Sequence, residues 1–201
     1  MSSYEVMDSL ISYVLGSGKF PNIRSVIVAG HSAGGQFVQR YSAITPLPEL
    51  LPSLPFRFIV MNPSSYMYLD DRRPAADGTF LVPDSTGCGQ YNRYPKGLTE
   101  LSDCAAGIGA DHIRHNMLQR DIVILLGGDD TDDADTDLDV SCAAELQGKA
   151  RLQRGLSFFN YLSSFPEYGQ KKNCNVIPHI GHNGRGIINS DEAEKWLFGR
   201  Q

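Results

Sequence analysis

Ser32 is the side chain whose neighbours most clearly prepare it for chemistry. It lies in Gly30-His31-Ser32-Ala33-Gly34, a Gly-x-Ser-x-Gly pattern that follows the apolar run "SVIVAG" and opens the helically spaced "GGQFVQRYSAI". A strand that turns at once into a helix crowds the residue at the turn. Glycines at 30 and 34 remove side chains that would collide there, and Gly35 adds room. The hydroxyl is then held above the sheet edge, and the helix N-terminus places partial positive charge where an oxyanion would develop.

A serine hydroxyl is a poor nucleophile without a base. The five histidines are not equivalent. His31 is inside the motif and is expected to point away from the reacting atom. His112 and His115 lie in polar, helix-like sequence and are expected at the surface. His179 is expected within the last strand, whereas His182, in "IGHNG", falls in the loop after it and can reach Ser32. His182 is therefore preferred over His179 as the base. The base needs an acid to hold its tautomer and orientation. The third strand ends in "ILLGGDDTDDADTDLD", where Asp129 and Asp130 come first after the strand. Asp130 suits a Gly-x-x-Asp turn from Gly127 and is preferred over Asp129. A calcium loop was weighed for the remaining acids. Asp133, Asp135 and Asp137 alternate as an EF-hand requires, but Leu138 stands where its glycine belongs and no glutamate falls at the twelfth position. No metal site is expected, and the run reads as a solvated loop.

These groups need a scaffold. Ser2 and Glu5 are spaced as a capping box for a first helix with Met7, Leu10, Ile11 and Val14 on one face, ending at Gly16. "RSVIVAG", "PFRFIVMNPSS", "RDIVILLGG" and "KNCNVIPHIGH" read as strands, the first three with the wholly apolar runs of strands buried on both faces. Helices are expected over "GGQFVQRYSAI", over "CAAELQGKARLQRGLSFFNYLSSF" with a break near Gly148, and over "NSDEAEKWLFG", with Asn189 and Glu192 as a capping box. This alternation predicts an α/β domain over residues 1–201, mostly parallel sheet with covering helices. Residues 66–118 interrupt it with a Tyr-, Pro-, Gly- and Asp-rich stretch, too long for an ordinary connection and read as an inserted lid or cap. Its Tyr66, Tyr68, Tyr91 and Tyr94 would either line an apolar acyl site or pack as an aromatic cluster.

Composition narrows the partners. With 201 residues, 41% hydrophobic and 20% charged, the chain supports one core. The net charge of −5 and the lack of a basic stripe argue against nucleic acid. No apolar run approaches the roughly 20 residues of a membrane span. "MSSYEVMDSLISYVL" has neither a basic leader nor a cleavage site, so no signal peptide is expected in this chain; a longer parent could still be secreted, and the compartment stays open. Four cysteines without a CxxC pair argue against zinc; they allow two disulfides, with Cys88–Cys104 closing a loop inside the inserted segment, or free buried thiols.

With Ser32, Asp130 and His182 in that order along the chain, the sequence resembles the α/β-hydrolase superfamily over nearly its whole length. The stretches "YNRYPKGL" and "LDVSCAAELQGKARLQRGLSFFNYL" are similar to those of esterase-like members. The resemblance implies Ser32 as nucleophile, His182 as base, Asp130 as acid, the Ala33 amide as one oxyanion donor, and no cofactor. The implied activity is hydrolysis of a small-molecule carboxylic ester. A superfamily sheet usually has eight strands with the elbow after the fifth, whereas here the elbow follows the first. Four strands, and the loop that normally carries the second oxyanion donor, are expected to be absent, leaving the elbow strand as an apolar edge open to pairing with another chain. The chain then reads as a C-terminal fragment of a longer enzyme, or as a short protein that covers its edge by such pairing. Two other functions remain: an inactive hydrolase-like binding protein, and an acyltransferase with the same three residues.

Overall fold

The computed structural model describes residues 1–168 and 173–199. The elements run α1 (Ser3–Gly16), β1 (Val26–His31), α2 (Ala33–Ile44), α3 (Leu47–Leu50), β2 (Phe56–Met61), β3 (Arg73–Pro74), β4 (Phe80–Leu81), α4 (Asp103–Ile108), α5 (Ala110–Gln119), β5 (Asp121–Gly127), α6 (Cys142–Glu145), α7 (Arg151–Ser163), β6 (Asn173–Ile177), α8 (Gly184–Ile188) and α9 (Asp191–Phe198). The capping box at α1 is present: the Ser2 hydroxyl accepts from the Glu5 amide at 3.2 Å, and the Glu5 carboxylate accepts from the Ser2 backbone. The helix break comes between α6 and α7, around Gly148. Lys172, with which the expected last strand opens, lies outside the described residues.

The main sheet is parallel, in the order β1-β2-β5-β6, with Val28 opposite Phe58, Val60 opposite Ile124 and Leu125 opposite Asn175. Side chains alternate across it, as the period of two demands. Phe58, Val60, Ile122, Ile124 and Leu126 turn to one face and pack with Tyr41 of α2, Met117 of α5 and Phe158 of α7. Ile59, Met61, Val123 and Leu125 turn to the other face, where Ile187 of α8 and Ala193 of α9 cover them. Each such buried side chain contributes about 1.5–3 kcal/mol, and the apolar runs 58–61 of β2 and 122–126 of β5 supply them. Among the described residues β1 has a strand neighbour on one side only, so it is an edge of this sheet.

The stretch from 66 to 118 begins deep in the protein. Tyr66, Met67, Tyr68 and Leu69 are fully buried. The guanidinium of Arg73, also buried, lies 4.4 Å from the Tyr68 ring and 4.9 Å from the Tyr91 ring. It donates to the backbone carbonyls of Asp70, Arg72 and Lys96. A charged group so placed has no partner to lose without cost, so it ties the segment together. Further on, α5 packs on α2 through Ile113 and Met117.

Three expectations are corrected. Cys88 pairs with Cys142, 54 residues away, and not with Cys104. Cys104 sits on α4 with its sulfur 3.3 Å from the Ser2 hydroxyl, so α4 turns it toward α1, and it and Cys174 are free thiols. The last strand stops at Ile177, leaving His179 in the turn beyond it with φ +61°. The cap of α9 is Ser190, whose hydroxyl accepts from the Ala193 amide, because Asn189 is already used to end α8. Among the described residues no helix is long and apolar enough to cross a membrane.

Candidate active site

Ser32 is the single residue between β1 and α2, with φ +57° and ψ −120°. A left-handed φ on a residue with a side chain costs on the order of 1–3 kcal/mol and persists only where packing imposes it. The packing here is between backbones. A Cβ on Gly30 would lie 2.3 Å from the Gly34 carbonyl oxygen, and one on Gly35 would lie 2.7 Å from the Met61 carbonyl oxygen. The Ser32 amide donates to that same Met61 carbonyl at 2.9 Å, fastening the turn to the end of β2. Gly34 differs from expectation: a Cβ on it would meet nothing within 4 Å. Gly30 and Gly35 are the positions that need glycine, and Gly34 enters through its carbonyl. Ala33 opens α2, where backbone N–H groups have no intrahelical partner.

His182 lies between β6 and α8, and Asp130 follows β5. The Asp130 amide donates to the Gly127 carbonyl at 3.2 Å, closing the turn that brings its side chain inward, while Asp129 is exposed. His182 Nε2 is 3.0 Å from Ser32 Oγ, and His182 Nδ1 is 2.8 Å from Asp130 Oδ2. A carboxylate can only accept, so the Nδ1 proton goes to Asp130 and leaves the Nε2 lone pair for the Ser32 hydroxyl. Two glycines allow the loops to meet. A Cβ on Gly127 would lie 2.3 Å from the Ile180 carbonyl oxygen, and one on Gly184 would lie 2.9 Å from the His31 ring.

Two groups that the sequence did not single out, Asn62 and Arg151, and one placed differently from expectation, His31, complete the surroundings. Asn62, at the end of β2 with φ +43°, donates its side-chain amide to Asp130 Oδ2 and accepts from the Gly127 amide at 2.9 Å. Arg151, fully buried at the start of α7, places Nη1 3.6 Å from Asp130 Oδ1 and 2.8 Å from Asp135 Oδ2. The third is His31, which was expected to point away from the reacting atom. Its ring packs on that of His182 at 4.5 Å between centroids. Burial, then the neighbouring His182, push the His31 pKa below its usual value, which favours the neutral ring. A polar residue directly after an apolar strand, as in "IVMNPSS", is the signal that could have pointed to Asn62. Arg151 had none, since its role depends on where α7 begins.

Three of the four tyrosines pack in an aromatic cluster and do not line an acyl site: Tyr66 and Tyr68 both pack on Phe158, and Tyr68 and Tyr91 flank the Arg73 guanidinium. Tyr66 and Tyr68 have no exposed surface; Tyr66 stacks on Phe158 at 4.5 Å and Tyr68 packs on Tyr161 at 4.5 Å. The Tyr91 hydroxyl donates to the Asp71 carbonyl, and the Tyr94 hydroxyl bonds that of Tyr4 on α1. His112 and His115 are exposed on α5. Among the described residues no cluster of three or more His, Cys, Asp or Glu side chains is arranged to hold a metal.

The fold is that of an α/β hydrolase, and solved structures share it. The poly(3-hydroxybutyrate) depolymerase LpqC from Bordetella parapertussis superposes with a TM-score of 0.72 and 23% identity, over 99% of this chain and 57% of its own. Poly(aspartic acid) hydrolase-1 from Sphingomonas sp. KT-1 superposes with a TM-score of 0.68 and 23% identity, over 98% of this chain and 63% of its own. This chain therefore spans about three fifths of the length of either neighbour. No protein-family model and no curated protein sequence matches it.

Proposed function

We propose that this chain carries the catalytic centre of a serine hydrolase of carboxylic esters. The observation that supports it is the continuous hydrogen-bonded chain from Ser32 through His182 to Asp130 at a strand-to-helix turn. In this reading Ser32 Oγ attacks the ester carbonyl carbon while its proton passes to His182 Nε2. The tetrahedral oxyanion is held by the Ala33 amide, reinforced by the N-terminus of α2, with a second donor from outside this chain. Collapse breaks the ester C–O bond, and the alkoxide leaves with the His182 proton. Water then attacks the acyl-Ser32 ester, giving its proton to His182, and the acid departs as the proton returns to Ser32. Asp130 stays ionised and steadies the imidazolium in both halves. No cofactor takes part. Small esters are the substrate class, and the depolymerase among the structural neighbours adds 3-hydroxybutyrate oligomers to the panel. The inserted segment 66–118 is read as the part that frames the acyl group.

The test is covalent labelling. A fluorophosphonate probe is added to folded protein and to Ser32→Ala, with folding checked by circular dichroism, followed by a panel of short-chain p-nitrophenyl esters. Labelling and turnover of the wild type, both lost in Ser32→Ala, are the expected result. A folded wild type that does not label would favour the reading as an inactive, hydrolase-like binding protein. Transfer of the acyl group to an added alcohol in preference to water would favour an acyltransferase.

A further inference from the structure

The two carboxylate oxygens of Asp130 are divided. Oδ2 accepts from His182 Nδ1–H and from the Asn62 side-chain amide, while Oδ1 has Arg151 Nη1 beside it at 3.6 Å. The start of α7 is docked on the same residue, since the Leu152 amide donates to the Asp130 backbone carbonyl at 3.1 Å. Arg151 is fully buried, and its Nε and Nη2 meet no hydrogen-bond acceptor among the described residues. Burying a guanidinium is costly, and leaving two of its nitrogens unbonded adds to the cost. Mere structural support would be better served by an apolar side chain of similar volume. What an apolar replacement could not supply is the charge that Nη1 presents both to Asp135, its hydrogen-bond partner at 2.8 Å, and to Asp130 at 3.6 Å.

We propose that Arg151 is a positioning residue for this site: its guanidinium holds the Asp130 carboxylate with Oδ2 turned to His182 and, through its charge, sets how tightly the Asp130–His182 pair holds a proton. The inference about catalysis rests on the Ser32 reading above; the inference about the pair does not. The titratable and charged groups around the pair are His31 at the end of β1, Tyr66 after β2, Asp135 in the loop after β5, and Arg151 with neighbouring Arg154 on α7. Burial pushes the His31 pKa down and the Tyr66 pKa up, which favours the neutral form of each, and Arg151 and Asp135 carry opposite charges beside the pair. The Arg151 charge opposes protonation of His182, and the Asp135 charge favours it.

The experiment follows the rate of fluorophosphonate labelling from pH 4.5 to 9 for wild type, Arg151→Gln, Arg151→Lys and Asp135→Asn. The His182 titration is read in parallel by NMR on histidine-labelled protein. Arg151→Gln is expected to move the acid midpoint of labelling, and the His182 titration, upward by about one pH unit. Arg151→Lys, which keeps the charge, should return both most of the way to wild type. Asp135→Asn should move them downward by a few tenths of a unit, and it carries the test if Arg151→Gln does not fold. Midpoints unchanged in Arg151→Gln, or raised in Asp135→Asn, overturn the proposal. If Ser32 never labels while the His182 titration still shifts, the hydrolase reading fails and the positioning role of Arg151 stands.

Discussion

Gly30 and Gly34 meet backbone to backbone: a Cβ on Gly30 would come 2.3 Å from the Gly34 carbonyl oxygen, whereas a Cβ on Gly34 would meet nothing within 4 Å. The two glycines of the motif therefore differ in kind. Gly30→Ala must push α2 away from β1 and is expected to destabilise the protein by about 3 kcal/mol. Gly34→Ala adds a methyl to open space at the start of a helix and should stay within about 1 kcal/mol of wild type. Urea unfolding of both variants measures the difference; equal midpoints would show that the close approach at Gly30 is wrong.

Asn62 bridges the acid and the strand end, since one side-chain amide serves both Asp130 Oδ2 and the Gly127 backbone. Asn62→Ala leaves the buried Gly127 N–H without its acceptor, at a cost of about 1–3 kcal/mol. The freed Asp130 carboxylate should slow labelling of Ser32 by roughly 10- to 100-fold, because small errors of orientation at the reacting centre are costly. A variant as stable and as reactive as wild type would remove Asn62 from the site.

The Cys88–Cys142 bond joins the inserted segment to the chain beyond the acid loop, across 54 residues. Closing a loop of that size in the unfolded chain is worth about 4 kcal/mol on the chain-entropy model. Replacing both cysteines with serine should lower the urea midpoint accordingly. Denatured, unreduced protein should titrate two thiols, Cys104 and Cys174, and peptide mapping should recover the 88–142 linkage. Four thiols, or a linkage through Cys104, would contradict the pairing.

Asp139 forms a part-buried ion pair with Lys96 of the inserted segment at 2.9 Å. Burial acts to raise its pKa, but the Ser141 hydroxyl and amide and the Lys96 ammonium outweigh it, leaving the carboxyl below its ordinary range. A folded pKa below the unfolded value contributes stability that is present above about pH 4 and lost as pH falls through the folded pKa. Asp139→Asn should therefore be less stable than wild type at pH 7, with the gap closing as pH falls below the ordinary carboxylate range. Unfolding free energies at pH 7, 5, 3 and 2.5 test the sign; a gap that widens in acid would refute it.

The α/β alternation and the Ser32 turn were legible in the sequence because each rests on local physics. The apolar run of β5 is buried on both faces as its sequence requires, whereas the equally apolar β1 is a partly exposed edge strand, and a strand that becomes a helix within one residue needs glycine where backbones touch. Asp130 could be preferred over Asp129 for the same reason, since the turn from Gly127 is a matter of four consecutive residues. The remaining features depend on what meets across the fold. The pairing of Cys88 with Cys142, the fact that Gly35 rather than Gly34 faces the Met61 carbonyl, the packing of His31 on His182, and the convergence of Asn62 and Arg151 on Asp130 all join segments tens of residues apart. No local pattern encodes such meetings. They follow from the order β1-β2-β5-β6, which brings the ends of separate strands to one edge, and from the burial that leaves each charged group there only the partners the tertiary structure supplies.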